Sequence, residues 1–416
     1  MKRSIYNRTV NLGNGSVAVY NTLTGALCVF DKNEYTQFFV EDISLLSDSE
    51  KEDMKEKTFF VSDDTDELSM VLLKREKQIM SSSVPTYRVL VTTACNAKCP
   101  YCFENGIKFL NMNTTVADAL VDFILKEAEG YSKIKVQWFG GEPLMNLGII
   151  EYITQKLNTR FNGDIVYSII TNGSLMTKNT VKKLLGLGVK RAQVTFDGDK
   201  SVYEETKNYI DKNITFESIL ENVKNALEEG MAVVVRLNYD KSNLNSIKDL
   251  IGKLGEKFCS YKNFSCYPYP IYGTYNGPTE KSTDKDDLLL LHTEIIRSGI
   301  VDIERLFSSA LGVKTGPCMA CNRKSFIILP SGELFKCSVD MKNNVGTVFD
   351  SVEYNKYFFE WNTAGLNEKC LSCNLLPVCQ GGCRAGALGK LPVTCMRDKE
   401  IVDDIIKLTV YAHVDN

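Results

Sequence analysis

The strongest constraint on the fold is a repeated alternation of strand-like and helix-like segments between residue 86 and about residue 300. Short, nearly continuous apolar runs alternate with longer segments in which apolar residues recur every three or four positions. The strand-like runs are, in chain order, TYRVLV, IKVQWFGG, IVYSIITNG, RAQVTFDG, AVVVRLNYD and NFSCYPYP. Six such units predict an α/β fold with a parallel sheet, doubly wound or curled into a partial barrel, since a complete barrel needs eight.

Regions of different character flank this alternation, and 416 residues are enough for two or three domains. Before it, SVAVYN and ALCVF are joined by the turn-like TLTG and predict a hairpin, followed by two helical patterns. After it, periodicity fades and cysteines gather in loops, until a last helical pattern ends the sequence. We therefore predict domains at residues 1–82, 83–305 and 306–416.

Composition excludes several classes of protein. A net charge of −3 gives no basic excess for binding nucleic acid, and no apolar run reaches the length of a membrane span. The first residues lack the apolar stretch of a secretory signal, so a cytoplasmic protein is expected. In a reducing compartment, fourteen cysteines indicate metal or redox chemistry rather than disulfides. Only two histidines are present, which argues against histidine-rich zinc catalysis.

Three cysteines lie close together after the first strand of the alternation. Cys95, Cys99 and Cys102 occupy the loop where that strand ends, and ligands bind at this end of parallel strands. Three thiolates can hold three irons of a [4Fe–4S] cluster and leave the fourth iron open to a small molecule. A structural zinc site would need a fourth ligand nearby. The spacing alone nevertheless does not exclude a zinc site or an incidental group of cysteines.

The Cys-x3-Cys-x2-Cys spacing, with Tyr101 directly before the last cysteine, resembles the signature of radical S-adenosylmethionine (radical SAM) enzymes. The resemblance implies a partial (β/α)6 barrel whose open iron binds the amino and carboxylate groups of S-adenosylmethionine. It also implies one-electron cleavage of that cofactor to methionine and a 5′-deoxyadenosyl radical, which abstracts a hydrogen atom. Tyr101 would contact the adenine through its backbone.

Three further segments resemble cofactor-binding motifs of this family. In FGGEPL, Gly140 and Gly141 permit close backbone approach and Glu142 can accept a hydrogen bond from an ammonium. TFDG and RLN resemble the segments that contact the ribose and the methionine carboxylate, although each also fits an ordinary turn or a surface arginine. The predicted cofactor-binding residues are Tyr101, Gly140, Gly141, Glu142, Pro143, Thr195, Asp197, Arg236 and Asn238.

Eight further cysteines follow residue 310 and resemble the SPASM extension of radical SAM enzymes, which holds two auxiliary [4Fe–4S] clusters. Without that resemblance, two structural zinc sites would fit equally well. If Cys318 or Cys321 were not a ligand, the first auxiliary cluster would have an open iron. The implied ligands are Cys318, Cys321, Cys337 and Cys383 for the first cluster, and Cys370, Cys373, Cys379 and Cys395 for the second.

Enzymes of this architecture mainly modify peptides or proteins. Those that oxidise sulfatases carry an aspartate directly after the cysteine that matches Cys337, where this sequence has Ser338, so Asp340 is the candidate base here. Residues 1–82 resemble the winged-helix-like module that captures a precursor's leader by strand addition. A region that only caps the barrel is the alternative.

The resulting hypothesis is a radical SAM/SPASM enzyme that cross-links a ribosomally made precursor peptide, with a cysteine thioether as the expected bond. Its cofactors would be three [4Fe–4S] clusters and S-adenosylmethionine, and its electron donor a flavodoxin or ferredoxin. The alternatives are a sulfatase maturase that forms formylglycine, a non-catalytic, zinc-stapled peptide-binding protein, and a dehydrogenase of small molecules.

Overall fold

The computed structural model describes residues 1–82, 84–102, 104, 108–271, 285–312, 318–363, 365–390 and 399–414. The chain forms two compact units, each made of separate stretches of sequence. The central unit comprises Val84–Val301 and Met319–Thr363, and the terminal unit comprises Met1–Ser83, Asp302–Cys318 and Ala364–Asn416. The three predicted domains remain a prediction.

The strands in the described residues form four sheets. They are β1 (Lys2–Arg3), β2 (Asn7–Asn11), β3 (Val17–Asn21), β4 (Leu27–Phe30), β5 (Phe60–Val61), β6 (Thr86–Thr92), β7 (Lys133–Gly140), β8 (Asp164–Thr171), β9 (Val189–Phe196), β10 (Ala232–Tyr239), β11 (Phe264–Pro270), β12 (Phe326–Ile328), β13 (Leu334–Phe335), β14 (Gly346–Thr347) and β15 (Ser351–Val352).

The α-helices differ widely in length, and the shortest have four residues. They are α1 (Lys32–Tyr35), α2 (Asp48–Glu56), α3 (Glu67–Lys77), α4 (Thr114–Glu127), α5 (Leu147–Arg160), α6 (Lys178–Gly186), α7 (Lys200–Lys207), α8 (Phe216–Glu228), α9 (Leu244–Phe258), α10 (Lys285–Arg297), α11 (Ile303–Leu311), α12 (Lys356–Thr363), α13 (Glu368–Leu371), α14 (Leu376–Cys379), α15 (Arg384–Ala387) and α16 (Lys399–Val414).

The central unit is built on one eight-stranded sheet in the order β11-β10-β9-β8-β7-β6-β12-β13. Strands β6 to β11 are the six predicted strands, and all pair in parallel, which confirms the predicted parallel α/β fold. The short strand β12 adds in parallel to β6, and β13 pairs with it in antiparallel. Because successive parallel strands run the same way, their carboxyl ends share one edge of the sheet.

Alternating side chains on these strands form two different surfaces. On β7, Ile134, Val136 and Trp138 are fully buried, while Gln137 and Phe139, which alternate with them and point to the other face, are only partly buried. The intervening helices supply apolar side chains, for example from Ile150 to Leu157 on α5. One face of the sheet therefore forms the hydrophobic core, and the other carries polar and aromatic side chains.

The terminal unit joins sequence-distant segments through one apolar core. Strands β2, β3 and β4 form an antiparallel sheet, which confirms the predicted hairpin and adds β2 to it. Arg8 donates from Nε and Nη2 to both carboxylate oxygens of Asp403 on α16, each at 2.7 Å. Buried side chains from these elements pack together: Val10, Ala18 and Tyr20 with Val402, Ile405, Ile406 and Val410.

Within the described residues, no helix is both long and apolar enough to cross a membrane.

Candidate functional site

The cysteine loop, residues 95–102, begins just after β6 at the carboxyl edge of the central sheet. Cys95, Cys99 and Cys102 are each partly buried, and none of the thirteen cysteines that the structure describes forms a disulfide bond. Burial raises the pKa of Cys95 to about 11 and also raises the pKa values of Cys99 and Cys102. Ionising these thiols therefore requires nearby positive charge, which a metal centre would supply.

The glycines of FGGEPL bring the end of β7 against the backbone that leads into the cysteine loop. The Gly141 amide donates to Thr92 O at 3.1 Å, and the Glu142 amide donates to Ala94 O at 2.7 Å. A Cβ at Gly140 would lie 2.1 Å from Thr92 O, and one at Gly141 would lie 2.2 Å from Ala94 O. Gly140 also has a φ of +134°. A close backbone approach is therefore present at these glycines, to the chain's own backbone, and their contact with the cofactor remains a prediction.

Glu142 is fully buried and fastens the end of β7 to the end of β8. Its carboxylate accepts from Thr171 Oγ1 at 2.8 Å, from the Asn172 amide at 2.8 Å and from the Leu144 amide at 3.1 Å. Burial raises the pKa of Glu142 to about 7, although these hydrogen bonds oppose the rise. Pro143 begins the short turn that follows, Pro143–Asn146. That Glu142 accepts from a cofactor ammonium remains a prediction.

The turn after β8 holds the cysteine loop directly. Asn172 Nδ2 donates to Asn96 Oδ1 at 2.8 Å, and Asn96 Nδ2 donates to Ser174 Oγ at 2.9 Å. Asn96 directly follows Cys95, so this pair of amides fixes the first part of the loop. The partnership carries no local sequence signal, because Asn172 and Asn96 are 76 residues apart in the chain.

A buried polar network joins three predicted residues to one that the sequence did not indicate. The Tyr101 hydroxyl donates to Asp197, and Asn238 Nδ2 donates to that hydroxyl at 3.1 Å. Lys207 Nζ lies 2.9 Å from Asp197 Oδ2 and 3.2 Å from the Tyr101 hydroxyl. The structure thus brings Tyr101, Asp197 and Asn238 together, with their side chains bonded to one another. Their contacts with the cofactor's adenine and ribose remain predictions.

Thr195 and Arg236 lie side by side on β9 and β10, because they are register partners. The Arg236 guanidinium carbon is 3.7 Å from the centre of the Tyr269 ring, which fixes its orientation. Its Nε is buried and makes no hydrogen bond within the described part of the chain. A buried donor of this kind suits an anionic group, such as the carboxylate predicted for it.

The tail cysteines are divided between the two units. Cys321 and Cys337 belong to the central unit, where Cys321 is 3% exposed. Lys336, next to Cys337, donates to Asn322 O at 2.6 Å and to Ser325 O at 2.7 Å, which links the segments that carry these two thiols. The others that the structure describes, Cys318, Cys370, Cys373, Cys379 and Cys383, belong to the terminal unit. Cys395 lies outside the described residues, and the division into two clusters remains a prediction.

Asp340, the candidate base, is 7% exposed and bonded through both carboxylate oxygens. Oδ1 accepts from Asn343 Nδ2 at 2.6 Å, and Oδ2 accepts from Trp361 Nε1 at 3.1 Å. Trp361 belongs to α12, so the carboxylate connects that helix to the loop that follows Cys337.

In the described part of the chain, no three His, Cys, Asp or Glu side chains converge on a point that could hold one metal ion. A [4Fe–4S] cluster is held differently, since each iron takes one thiolate and the ligands surround a cube. The expectation of a cluster therefore depends on the donor set and on the way the loop is held.

Residues 89–254 match the Radical SAM superfamily, a range that runs from β6 to α9. The chain therefore carries a radical SAM domain, which confirms the resemblance read from the cysteine spacing. The [4Fe–4S] cluster and S-adenosylmethionine are the cofactors that this domain implies.

Curated relatives match over very different lengths. The radical SAM cyclopropyl synthase TigE of Paramaledivibacter caminithermalis is 23% identical over 98% of this chain and 94% of its own length. An uncharacterised protein of Methanocaldococcus jannaschii is 34% identical, but over only 26% of this chain and 37% of its own length.

Solved structures share the fold at low sequence identity. The structure of anSMEcpe with bound AdoMet has a TM-score of 0.63 and 18% identity, over 80% of this chain and 99% of that one. Streptococcus suis SuiB bound to the precursor peptide SuiA has a TM-score of 0.54 and 18% identity, over 96% of this chain and 99% of that one. At this identity, the likeness establishes the fold.

The residues at the carboxyl edge of the central sheet fit both implied cofactors. Three thiols on one loop, none of them in a disulfide bond, can each bind one iron, and the loop offers no fourth cysteine. The buried, unpaired Nε of Arg236 suits a carboxylate. The arrangement therefore suits a radical SAM enzyme, and the cysteine loop as its catalytic centre remains a prediction.

Proposed function

We propose that this chain, through the radical SAM domain at residues 89–254, modifies a ribosomally made precursor peptide by forming a cross-link. The observation that carries the proposal is the cysteine loop, held at the carboxyl edge of the sheet by Asn172, by Asp197 through Tyr101, and by the glycines of FGGEPL. The SuiB structure, which holds its precursor peptide, supports a peptide as the substrate class.

The expected reaction joins a cysteine thiol of the peptide to a carbon atom as a thioether. When bound, the cluster and S-adenosylmethionine would supply, on one electron from a flavodoxin or ferredoxin, the radical chemistry that takes one hydrogen atom from the peptide carbon into 5′-deoxyadenosine. Formation of the carbon–sulfur bond would then release the thiol proton and one electron, for which the auxiliary clusters of the tail would be the acceptor.

Different residues of this chain would hold the different cofactors of that reaction. Cys95, Cys99 and Cys102 would hold the cluster that binds S-adenosylmethionine, and Arg236 would bind the cofactor's carboxylate. In the tail, the cysteines from Cys318 to Cys395 would hold two auxiliary clusters. The chain has fourteen cysteines, and none of the thirteen that the structure describes forms a disulfide bond. This favours a reducing compartment, so we place the protein in the cytoplasm.

Leader binding is assigned to the three-stranded sheet of the terminal unit. Strand β4 lies at one edge of that sheet, and Val29 on β4 is 47% exposed. An extended leader could add to this edge as a further strand. Val29→Lys should weaken precursor binding, measured by fluorescence anisotropy, because edge lysines oppose strand addition. Val40→Lys, at a 62% exposed position outside the sheet, is the control and should bind normally.

Sulfatase maturation is disfavoured by the sequence, because Ser338 rather than an aspartate directly follows Cys337. Each carboxylate oxygen of Asp340 accepts one hydrogen bond, from Asn343 or from Trp361, and the carboxylate thereby connects α12 to the loop after Cys337. We therefore assign Asp340 a structural role.

The test is anaerobic reconstitution with iron, sulfide, dithionite and S-adenosylmethionine, followed by mass spectrometry for 5′-deoxyadenosine. The wild-type protein should form it, and the triple variant with Cys95, Cys99 and Cys102 replaced by Ala should not. The triple variant should also lose one cluster's share of iron and keep the iron of the tail. Cys259→Ala, at an exposed cysteine outside the clusters, is the matched control.

If the wild-type protein bound zinc and formed no 5′-deoxyadenosine, the radical mechanism would be wrong. Coexpression with a candidate precursor then tests the substrate class. A peptide lighter by two hydrogen atoms and blocked at one cysteine would support the thioether, and an unchanged mass would contradict it.

A further inference from the structure

Tyr6 carries a buried hydroxyl group that makes no hydrogen bond within the described part of the chain. The residue lies directly before β2 in the terminal unit and is 1% exposed. A buried hydroxyl has lost its hydrogen bonds to water, and this destabilises the protein unless another group accepts from it. An orphaned donor of this kind indicates an acceptor outside the polypeptide.

The side chain of Tyr6 lies against the segment that carries three of the tail cysteines. Tyr6 forms a small buried core with Val71 and Leu376, and Cys370 packs against that core. Leu376 is the first residue of α14, and Cys379 is the last. The aromatic ring therefore contacts the stretch of chain that separates Cys370 from Cys379.

Hydrogen bonds connect the backbone at Tyr6 to the same segment. The Thr22 amide donates to Tyr6 O at 3.0 Å, and the Thr22 hydroxyl donates to Asn374 O. In the other direction, Asn374 Nδ2 donates to Asn7 O at 3.3 Å. Because Asn374 directly follows Cys373, these bonds fix the position of Tyr6 relative to that cysteine.

Helix α3 holds the far end of the segment. Arg75 on α3 is 9% exposed, and its Nε donates to Gln380 O at 3.3 Å. Gln380 directly follows Cys379. The N-terminal region therefore contacts the segment near each of its three cysteines, although these residues are some 300 or more positions apart in the chain.

The donors of this segment fit an iron–sulfur cluster. Cys370, Cys373 and Cys379 are partly buried, and none of them forms a disulfide bond. Sulfur atoms of such clusters accept hydrogen bonds, and these bonds strengthen when reduction adds a negative charge. A donor next to a cluster therefore stabilises its reduced form, and the Tyr6 hydroxyl is a donor without another partner in the described residues.

We propose that the Tyr6 hydroxyl donates a hydrogen bond to a sulfur atom of the auxiliary cluster expected at Cys370, Cys373, Cys379 and Cys395. The inference rests on the proposed function, which assigns iron–sulfur clusters to the tail, and it deepens that function. The N-terminal region then helps to bind a cofactor, in addition to the leader binding assigned to β4.

The test is Tyr6→Phe, which removes the hydroxyl and keeps the ring in its core. Tyr87→Phe is the matched control, because Tyr87 on β6 is fully buried and its hydroxyl also makes no hydrogen bond within the described residues. Both substitutions are made in the full-length chain in which Cys95, Cys99 and Cys102 are replaced by Ala. The signals that remain after reconstitution then come from the tail.

Two readouts that do not depend on activity are measured: the midpoint potentials of the tail clusters, by electron paramagnetic resonance during a redox titration, and the rate of iron loss to a chelator. In Tyr6→Phe, one tail signal should move to a more negative midpoint potential, because its reduced form loses a hydrogen bond. The iron of that cluster should also leave several-fold faster. Tyr87→Phe should match the parent protein in both readouts.

An independent readout is electron–nuclear double resonance of the reduced proteins in H2O and in D2O. The parent protein should show an exchangeable proton coupled to one tail cluster that Tyr6→Phe lacks. An unchanged spectrum, or potentials and iron loss equal to those of Tyr87→Phe, would overturn the proposal.

Failure of the proposed function would look different. A parent protein that bound zinc in its tail, with no iron–sulfur signal, would contradict the proposed function before Tyr6 was tested. If the triple alanine variant did not fold, the same comparison in the otherwise unchanged chain would decide. There, the signal that changes on addition of S-adenosylmethionine identifies the cluster of the cysteine loop, and the remaining signals are compared.

Discussion

Next to the cysteine loop, neighbouring backbone segments approach so closely that some positions have room only for glycine. Gly141 is the clearest case, because a Cβ there would lie 2.2 Å from Ala94 O and 2.6 Å from Ala94 C. Both are backbone atoms just before Cys95, so they cannot move without moving the loop. Gly141→Ala should therefore destabilise the central unit by at least about 1–3 kcal/mol and lower the iron bound at this loop. Thermal melting and iron analysis test this.

Gly148 provides the matched control for that substitution. It lies near the start of α5, and a Cβ there would meet nothing within 4 Å. Gly148→Ala should therefore be neutral or stabilise the protein by up to about 1 kcal/mol, because alanine favours helix. Equal melting temperatures for the two variants would contradict the close approach at Gly141.

His292, on α10, should make stability depend on pH. Burial lowers the pKa of His292 from 6.5 to about 4, and its buried Nδ1 has no hydrogen-bond partner within the described residues. Below pH 6.5, His292 is protonated in the unfolded chain but stays neutral in the folded protein. The free energy of unfolding therefore falls as the pH drops towards 4. At pH 5 the loss due to this residue is about 2 kcal/mol.

His292→Gln removes this titration and isolates it from the other acid-sensitive groups. The difference in melting temperature between the wild type and the variant should shift in favour of the variant as the pH falls from 7 to 5. A difference that stays constant over this range would show that His292 titrates normally in the folded state.

Among the elements, those with a strong local pattern were predicted and those fixed by distant contacts were not. Strands β6 to β11 are apolar runs of seven or eight residues, and the sequence places each of them. Strand β12 has three residues and exists because Phe326 pairs with Tyr87, far away in the sequence. Lys207 was missed for the same reason, since its ion-pair and hydrogen-bond partners, Asp197 and Tyr101, lie on other segments.

Asp340 connects the α12 helix to the loop after Cys337. Substitutions at Asp340 can therefore distinguish a structural role from a role as catalytic base. Asp340→Ala removes the acceptor that Trp361 Nε1 uses, at a buried position, and should cost about 1–3 kcal/mol. Asp340→Asn keeps one acceptor oxygen and should cost less. Melting temperature and the iron content of the tail should therefore fall further in the alanine variant than in the asparagine variant.

If Asp340 were a catalytic base, the two variants would differ in stability but not in product formation. Asp340→Asn would then melt like the wild type and keep its iron, yet would stop product formation as completely as Asp340→Ala. That outcome would support formylglycine formation on a sulfatase as the function, and it would contradict the structural role assigned above.

At the scale of the whole molecule, the two compact units do not correspond to two continuous stretches of sequence. The terminal unit contains residues that precede the central unit in the sequence and residues that follow it, so the sheet β2-β3-β4 shares its core with α16. The sequence could place the hairpin and the last helix, but no periodicity indicates that they pack together. The proposed leader-binding surface therefore depends on a helix almost 400 residues away in the chain.

Ile406 tests that dependence, because it is fully buried on α16 within the core that also contains Val10 and Tyr20. Ile406→Ala should destabilise the terminal unit by about 2–5 kcal/mol, since it removes buried methyl groups and leaves a cavity. Hydrogen exchange followed by mass spectrometry should then show faster exchange in β2 and β3, and precursor binding should weaken with it. Leu73→Ala, at a 68% exposed position of the same unit, should change neither. Unchanged protection of β2 and β3 in Ile406→Ala would mean that the N-terminal sheet folds without α16, as an independent domain would.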